Sequence, residues 1–90
     1  MGRDTISAHE VRVARELMRA GGWVTNKDLG KRLTGVAART VRAHTDKLVK
    51  LGLAEMAEVF PGHRYRWSAK GEKRNRAYLL RLERAEEALG

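Results

Sequence analysis

The residues best suited to chemistry in this sequence are the arginines and lysines between residues 34 and 52. Val41, Thr45 and Leu48 follow one another at helical spacing, so they share one face of a helix predicted over residues 37–51. The opposite face and its edges carry short, polar or basic side chains, namely Arg39, Thr40, Arg42, Ala43, Asp46, Lys47 and Lys50. Such a face suits an anionic groove, although solvated charged faces are also usual on surface helices.

The basic residues are concentrated in two blocks of the 90-residue chain, which has a formal net charge of +8 and a pI of about 10.6. Residues 27–50 contain seven Lys or Arg against two Asp, and residues 64–76 contain six against one Glu. This balance favours an acidic partner, which would be nucleic acid, an anionic membrane surface or an acidic protein. The clustering predicts one basic face on the folded molecule.

The composition argues against several classes of function. The chain contains no cysteine, which excludes disulfides, thiolate metal sites and thiol nucleophiles and suits a reducing cytoplasm. His9, His44 and His63 lack the spacing of metal ligands, and no catalytic or nucleotide-binding motif occurs. No apolar run approaches the ~20 residues of a membrane span. We therefore expect neither an enzyme nor a bound cofactor, metal ion or small-molecule ligand.

Two shorter helices are predicted before the basic one. Ser7 and Glu10 have capping-box spacing at the start of the first helix, which two glycines end after residue 20. Its predicted buried stripe consists of Val11, Ala14, Leu17 and Met18. A second helix is predicted over residues 26–33, after a weaker cap pattern at Thr25. Gly30 in that helix either admits a neighbouring backbone or lies at the surface.

A β-hairpin is predicted after the basic helix. Residues 53–60 form its first strand, in which two glutamates interrupt the alternation and indicate a twist or bulge. Pro61 and Gly62 favour the turn. In the second strand, residues 64–68, the aromatic side chains share the face predicted to be buried and the arginines share the exposed face.

The chain is predicted to end in one helix over residues 69–90, capped by Ser68. Its apolar residues include a heptad-like seam formed by Tyr78, Leu82, Ala85 and Leu89. Because this helix is apolar over a wide arc, we expect the seam to cover a second copy of the chain in a homodimer. No linker or repeat divides the sequence, so we interpret residues 1–90 as one domain, with its core and hairpin over residues 7–68.

The order of helix, short strand, helix, turn, helix and hairpin resembles the winged helix-turn-helix of bacterial regulators. Residues 23–33 resemble the pattern G-x-V-T-x-x-E-L-A-x-x-L, and residues 35–44 resemble G-V-S-x-x-T-V-x-x-H. Leu48, Gly52 and Leu53 match L-x-x-x-G-L, and residues 64–71 resemble the end of the wing, Y-x-L-T-x-x-G. The resemblance covers about residues 8–71 and does not select among the MarR, ArsR, DeoR and IclR groups.

Three positions depart from the family pattern. Thr34 lengthens the turn by one residue. Ala37 replaces the serine that usually caps the third helix, and losing such a cap costs about 1 kcal/mol. Thr45 replaces a leucine that is normally buried, which either loosens the inward row or places a hydroxyl in it. We expect the fold to tolerate all three changes.

The resemblance implies a mainly helical α+β fold with a β-hairpin wing that binds double-stranded DNA. The helix over residues 37–51 would lie in the major groove, and the wing over residues 53–68 on the backbone or in the minor groove. Arg39 is the first choice for reading a guanine, Arg42 is the second, and Ala43 would meet a thymine methyl. The remaining expected contacts, mostly to phosphates, are Lys27, Thr40, Lys47, Lys50, His63, Arg64 and Arg66.

The leading interpretation is a small, sequence-specific transcriptional regulator that is cytoplasmic, nucleoid-associated and encoded by a bacterium or a phage. An accessory DNA-binding factor of a phage or plasmid, such as an excisionase or a replication or partition factor, would have the same features. A winged helix that binds an acidic protein is the alternative from another class. A DNA binder should lose affinity steeply with salt and still prefer one sequence, whereas an interaction module should show no sequence preference.

Overall fold

As far as the wing, helices and short strands follow one another in the order that the sequence predicts, in a computed structural model that describes residues 6–59 and 62–89. The helices are α1 (Ala8–Ala20), α2 (Asn26–Arg32), α3 (Ala38–Lys50), α4 (Ala69–Arg74) and α5 (Arg76–Leu89). The strands are β1 (Val24–Thr25), β2 (Ala54–Val59) and β3 (Gly62–Trp67). They form one antiparallel sheet in the order β1-β3-β2. The mainly helical fold with a hairpin is therefore confirmed.

Side-chain caps determine where the first two helices begin. The hydroxyl of Ser7 accepts a hydrogen bond from the amide of Glu10 at 3.2 Å, and Gly21 ends α1 in the left-handed conformation with φ 66°. At α2 the capping box is complete, because Thr25 and Asp28 each accept the other's backbone amide. The amide of Thr25 accordingly lowers the pKa of the Asp28 carboxyl. The predicted starts of α1 and α2 are thus confirmed. The capping box predicted at α1 is only half formed, because the Glu10 carboxylate pairs with Lys47 instead of accepting the Ser7 amide.

The core lies where the inner faces of the first three helices meet the sheet. Its largest fully buried side chains are Val13, Leu17, Leu29, Val41, Thr45, Leu48, Leu53 and Tyr65. Met18, predicted to belong to the buried stripe of α1, is instead 36% exposed. The buried face of α1 is centred on Val13, Ala14 and Leu17, so Met18 lies at its margin beside a groove between α1 and α5.

The two strands of the wing pair in one continuous register along their whole length. Of the twist or bulge predicted in the first strand, the bulge is therefore wrong, and the twist stays a prediction. Glu55 pairs with Arg66, and Glu58 pairs with His63 at the exposed far end of the hairpin. Because that end stands clear of the core, both of its faces are solvated and strict alternation is not required there. The predicted turn residue Pro61 lies outside the described residues.

The C-terminal segment forms two helices instead of the single helix predicted over residues 69–90. α4 ends at Asn75, whose backbone leaves the helical conformation at φ −124° and ψ 54°. The amide nitrogen of the Asn75 side chain donates to the carbonyl of Leu51 at 3.0 Å, and its oxygen accepts the amide of Tyr78 at 3.4 Å. Asn75 thereby ties this segment to the end of α3 and caps α5, which explains the break.

The apolar seam expected to hold a second copy is largely used within the domain. Tyr78 and Leu82 are 5% and 3% exposed and belong to the core, and Ala85 packs against that core. Of the four seam residues, Leu89 alone is widely exposed, at 57%. Tyr78 and Leu82 are therefore corrected from dimer contacts to core positions, because α5 packs its apolar face against α1.

Two glycines form a matched pair that tests the packing of α4. A Cβ on Gly71 would overlap the carbonyl group of Gly52. A Cβ on Gly30 would meet no atom of another described element within 4 Å, which favours the surface interpretation of Gly30. We expect Gly71→Ala to lower the free energy of unfolding by about 1–3 kcal/mol, because a backbone must move. Gly30→Ala should raise it by roughly 0.5–1 kcal/mol, because alanine is the better helix former. Urea unfolding followed by circular dichroism measures both, and equal effects would contradict the close contact.

Candidate nucleic-acid interface

The inward row of α3 packs into the core and leaves the rest of the helix facing outward. Val41, Thr45 and Leu48 are fully buried, which confirms the predicted row. Ala37 is the N-cap residue and its side chain makes no capping hydrogen bond, as the replacement of the usual serine implies. The first turn of α3 therefore begins with backbone amides that no side chain caps.

The outer face of α3 carries three cations around a small side chain. Arg39, Arg42 and Lys50 are exposed, as is Ala43 between them, and Thr40 is half-buried at the edge. Within residues 6–59 and 62–89, no hydrogen bond or ion pair engages any of the three cations. Their charges are consequently available to an external anion.

Lys47 is oriented differently from the other lysines and arginines of α3. Its ammonium group donates to Glu10 Oε1 at 2.9 Å and lies 5.7 Å from the centre of the Tyr78 ring. The Glu10 side chain is 3% exposed, whereas that of Lys47 is 50% exposed. His44 Nδ1 lies 3.6 Å from the same carboxylate oxygen. Lys47 therefore forms an ion pair between α1 and α3, and its predicted phosphate contact stays a prediction.

A second polar group joins α2, α3 and β3. The hydroxyl of Thr45 lies 3.0 Å from Asn26 Oδ1 and 3.0 Å from the carbonyl oxygen of Arg42, so its one proton is donated to either. Tyr65 is 2% exposed, and its hydroxyl donates to Asp46 Oδ1 at 3.3 Å. Burial, assisted by the Asp46 charge, raises the pKa of the Tyr65 hydroxyl. These bonds hold the wing against one edge of α3.

The wing places its basic residues in two different environments. Three exposed basic residues line one cleft between the start of α2 and the far end of β3, namely Lys27, His63 and Arg64. Arg66 is engaged within the domain. Its Nε donates to Glu55 Oε1 at 2.5 Å, and its guanidinium lies 4.5 Å from the centre of the Trp23 ring. Arg66 thus has partners within the domain, and its predicted DNA contact stays a prediction.

Two residues that position α3, Arg12 and Glu10, were not predicted from the sequence to do so. Arg12 Nη2 donates to the carbonyl of Thr34 at 3.0 Å and so holds the turn between α2 and α3. No local pattern could have indicated this bond, because its acceptor is a backbone group 22 residues away. Glu10 did have a signal, since its helical spacing from Val13 and Leu17 places a carboxylate on the buried face of α1.

Metal binding and membrane insertion have no structural counterpart in the described ranges 6–59 and 62–89. No group of three or more His, Asp or Glu side chains in these ranges could hold a metal ion. None of the helices found there combines the length and the apolar character needed to cross a bilayer.

Comparison with known proteins bears on the fold. No family profile and no curated protein matches the sequence. A protein of the thermoacidophilic archaeon Sulfolobus tokodaii has a TM-score of 0.68 at 24% identity, over 94% of this chain and 85% of that one. A protein described as a possible transcriptional regulator for arsenical resistance has a TM-score of 0.61 at 20% identity, over 81% of this chain and 82% of that one.

A third similar structure belongs to BpsR of Bordetella bronchiseptica. It has a TM-score of 0.63 at 17% identity, over 92% of this chain and 59% of BpsR. The chain has the winged-helix fold. In this fold α2 and α3 form the helix-turn-helix, and β2 with β3 forms the wing. At these identities the likeness concerns the fold alone.

Tyr65→Phe tests the bond between the wing and α3. The change keeps the ring and removes the donor to Asp46, so we expect the free energy of unfolding to fall by about 1 kcal/mol. Tyr78→Phe is the matched control, because the buried Tyr78 hydroxyl has no hydrogen-bond partner among the described residues. Its loss should leave stability unchanged or slightly higher. Indistinguishable losses in urea unfolding of the two variants would contradict a stabilising Tyr65–Asp46 bond.

Proposed function

We propose that the protein binds double-stranded DNA in a sequence-specific manner and acts as a small transcriptional regulator in the cytoplasm. The observation that carries the proposal is the outer face of α3, where exposed cations beside a small alanine engage no group of the described chain. An α-helix fits the major groove, and guanidinium groups match the acceptor pair of guanine. The proposal is supported by the winged-helix fold shared with proteins described as transcriptional regulators.

In this proposal α3 reads bases and the wing holds the DNA backbone. Arg39 would donate two hydrogen bonds to a guanine, and Arg42 would bind a second base or a phosphate. Ala43 would allow close approach to a thymine methyl. The expected phosphate and minor-groove contacts are Lys27, Thr40, Lys50, His63 and Arg64. The predicted contacts of Lys47 and Arg66 with DNA require their release from partners within the domain.

A small-molecule effector is compatible with this proposal. BpsR is described as regulated in its DNA binding by 6-hydroxynicotinic acid. This chain covers 59% of BpsR, so an effector site of that protein need not have a counterpart here. We therefore do not extend the proposal to a particular ligand, and we set aside the expectation that no ligand binds.

We further propose that the protein acts as a homodimer. Leu80 and Leu89 of α5 are 40% and 57% exposed, and Met18 of α1 is 36% exposed, so apolar side chains remain after the core has formed. Met18 and Leu89 replace Tyr78 and Leu82 as expected contacts, whereas Leu80 lies nine residues from Leu89 and so faces the opposite side of α5. Sedimentation equilibrium should give a dimer that Leu89→Glu converts to a monomer, with Glu87→Gln on the same helix as the control. A monomeric wild-type protein would contradict the proposal.

Selection from a random duplex pool, followed by titration of the enriched site across salt concentrations, tests the proposed specificity. One enriched sequence whose affinity falls steeply with salt would support a sequence-specific regulator. A palindromic site would agree with a homodimer. Equal, salt-sensitive binding to all duplexes would contradict base reading, and no binding to any duplex would favour the protein-interaction module.

Arg39→Ala is the sharpest variant for this proposal. We expect it to weaken binding to the enriched site by about 1–3 kcal/mol and to relax the preference at one base position, because a bidentate contact to guanine is lost. Arg84→Ala removes the same charge from an exposed position on α5 and should change neither. If the base preference of Arg39→Ala is unchanged, Arg39 does not contact a base.

A further inference from the structure

Glu10 is a buried carboxylate that the proposed DNA contacts do not use. Its Oε1 accepts from Lys47 Nζ at 2.9 Å and lies 3.6 Å from His44 Nδ1. Its second oxygen, Oε2, has no hydrogen-bond partner among the described residues. An ionised carboxylate that is removed from water in this way depends on its cationic partner. Electrostatic attraction to the buried carboxylate therefore holds the Lys47 ammonium group at Glu10.

Lys47 is placed between this buried carboxylate and the proposed DNA surface. Half of its side chain is exposed, and it lies one helical turn from Ala43 and from Lys50 on the outer face of α3. Its flexible four-carbon stem allows the ammonium group to reach either partner. A phosphate could not approach while Lys47 stays on Glu10 without bringing two anions together, which like-charge repulsion opposes.

Protonation of His44 would allow Lys47 to exchange Glu10 for a phosphate. The titratable and charged groups around the cluster come from α1, α3 and α5 and are His9, Glu10, His44, Lys47, Tyr78 and Arg81. Burial chiefly lowers the pKa of His44 below its ordinary value of 6.5, Glu10 opposes this, and Lys47 and His9 add to it. At neutral pH His44 is therefore uncharged. When the pH falls below this lowered pKa, the imidazole gains a positive charge beside Glu10 and competes with Lys47.

We propose that Glu10 is a positioning residue that withholds Lys47 from DNA at neutral pH and releases it to a phosphate when His44 is protonated. This inference rests on the proposed DNA binding through α3. The coupling is reciprocal, because moving Lys47 to a phosphate removes a charge that opposes protonation of His44. DNA binding should therefore be accompanied by uptake of a proton at His44.

The salt dependence of DNA binding counts the phosphates contacted and so measures the release of Lys47 directly. The logarithm of the association constant falls with the logarithm of the salt concentration by about 0.9 for each phosphate contact. The probe is a fluorescently labelled duplex of mixed sequence, which requires no known site. All proteins carry His63→Gln, because a second histidine on the proposed DNA surface would add a proton-linked contact of its own.

We expect the slope of the parent protein to steepen by about one contact, ~0.9, between pH 8 and a pH below the lowered pKa of His44. Glu10→Gln should have the steeper slope at both pH values, because a neutral amide does not retain Lys47. His44→Gln should have the shallower slope at both, because Lys47 then stays on Glu10. Lys50→Gln is the matched control, which should lose one contact at both pH values and keep the pH-dependent change.

The outcomes separate this inference from the proposed function. If the parent slope does not change with pH, or if Glu10→Gln keeps the parent slope at neutral pH, the inference is wrong. If no protein of the series binds the duplex, the proposed function fails instead. Because Glu10 is buried, thermal unfolding of each variant is recorded first. His44→Gln leaves the carboxylate intact and decides the question if Glu10→Gln does not fold, since a persisting pH-dependent slope would overturn the inference.

Discussion

The packing of Val41, Thr45 and Leu48 into the core is the interaction on which the remaining features of the site depend. The three side chains are fully buried and recur at helical spacing, so packing them sets the rotation of α3 about its own axis. Burying a large aliphatic side chain contributes about 1.5–3 kcal/mol, which exceeds what any single surface charge supplies. The outward direction of Arg39 and Arg42 is therefore a consequence of apolar packing on the opposite face.

Polar side chains act at the margins of this row, where apolar packing leaves the neighbouring elements less constrained. Thr45 bonds toward α2, and Tyr65 of the wing bonds to Asp46 of α3. A hydrogen bond contributes only about 0.5–1.5 kcal/mol when both groups are neutral and about 1.5–3 kcal/mol when one is charged, but its direction fixes the relative position of the two elements that it joins. The wing and the basic face of α3 are thereby presented as one surface.

The pair of Glu10 and Lys47 differs from these bonds because both of its groups are charged, and the Glu10 carboxylate is buried. Desolvation of a carboxylate offsets much of its attraction to a cation, and apolar residues of similar volume often stabilise a fold as well or better. Stability is therefore a weak reason for placing Glu10 between α1 and α3. The position of Glu10 instead suits control over the exposed Lys47, because this lysine lies at the edge of the proposed DNA surface.

Elements with a local signal could be predicted from the sequence, including the caps at Ser7 and Thr25, the inward row of α3 and the aromatic face of β3. Capping and periodicity depend on residues within one or two turns of each other, which explains this success. The partners of Lys47 and Arg66 and the break at Asn75 required the folded molecule. Lys47 pairs with a residue 37 positions away and Asn75 with a carbonyl 24 positions away. The local sequence pattern around a charged or amide side chain is the same whether that side chain contacts solvent, DNA or another element. Long-range packing decides which of these it contacts.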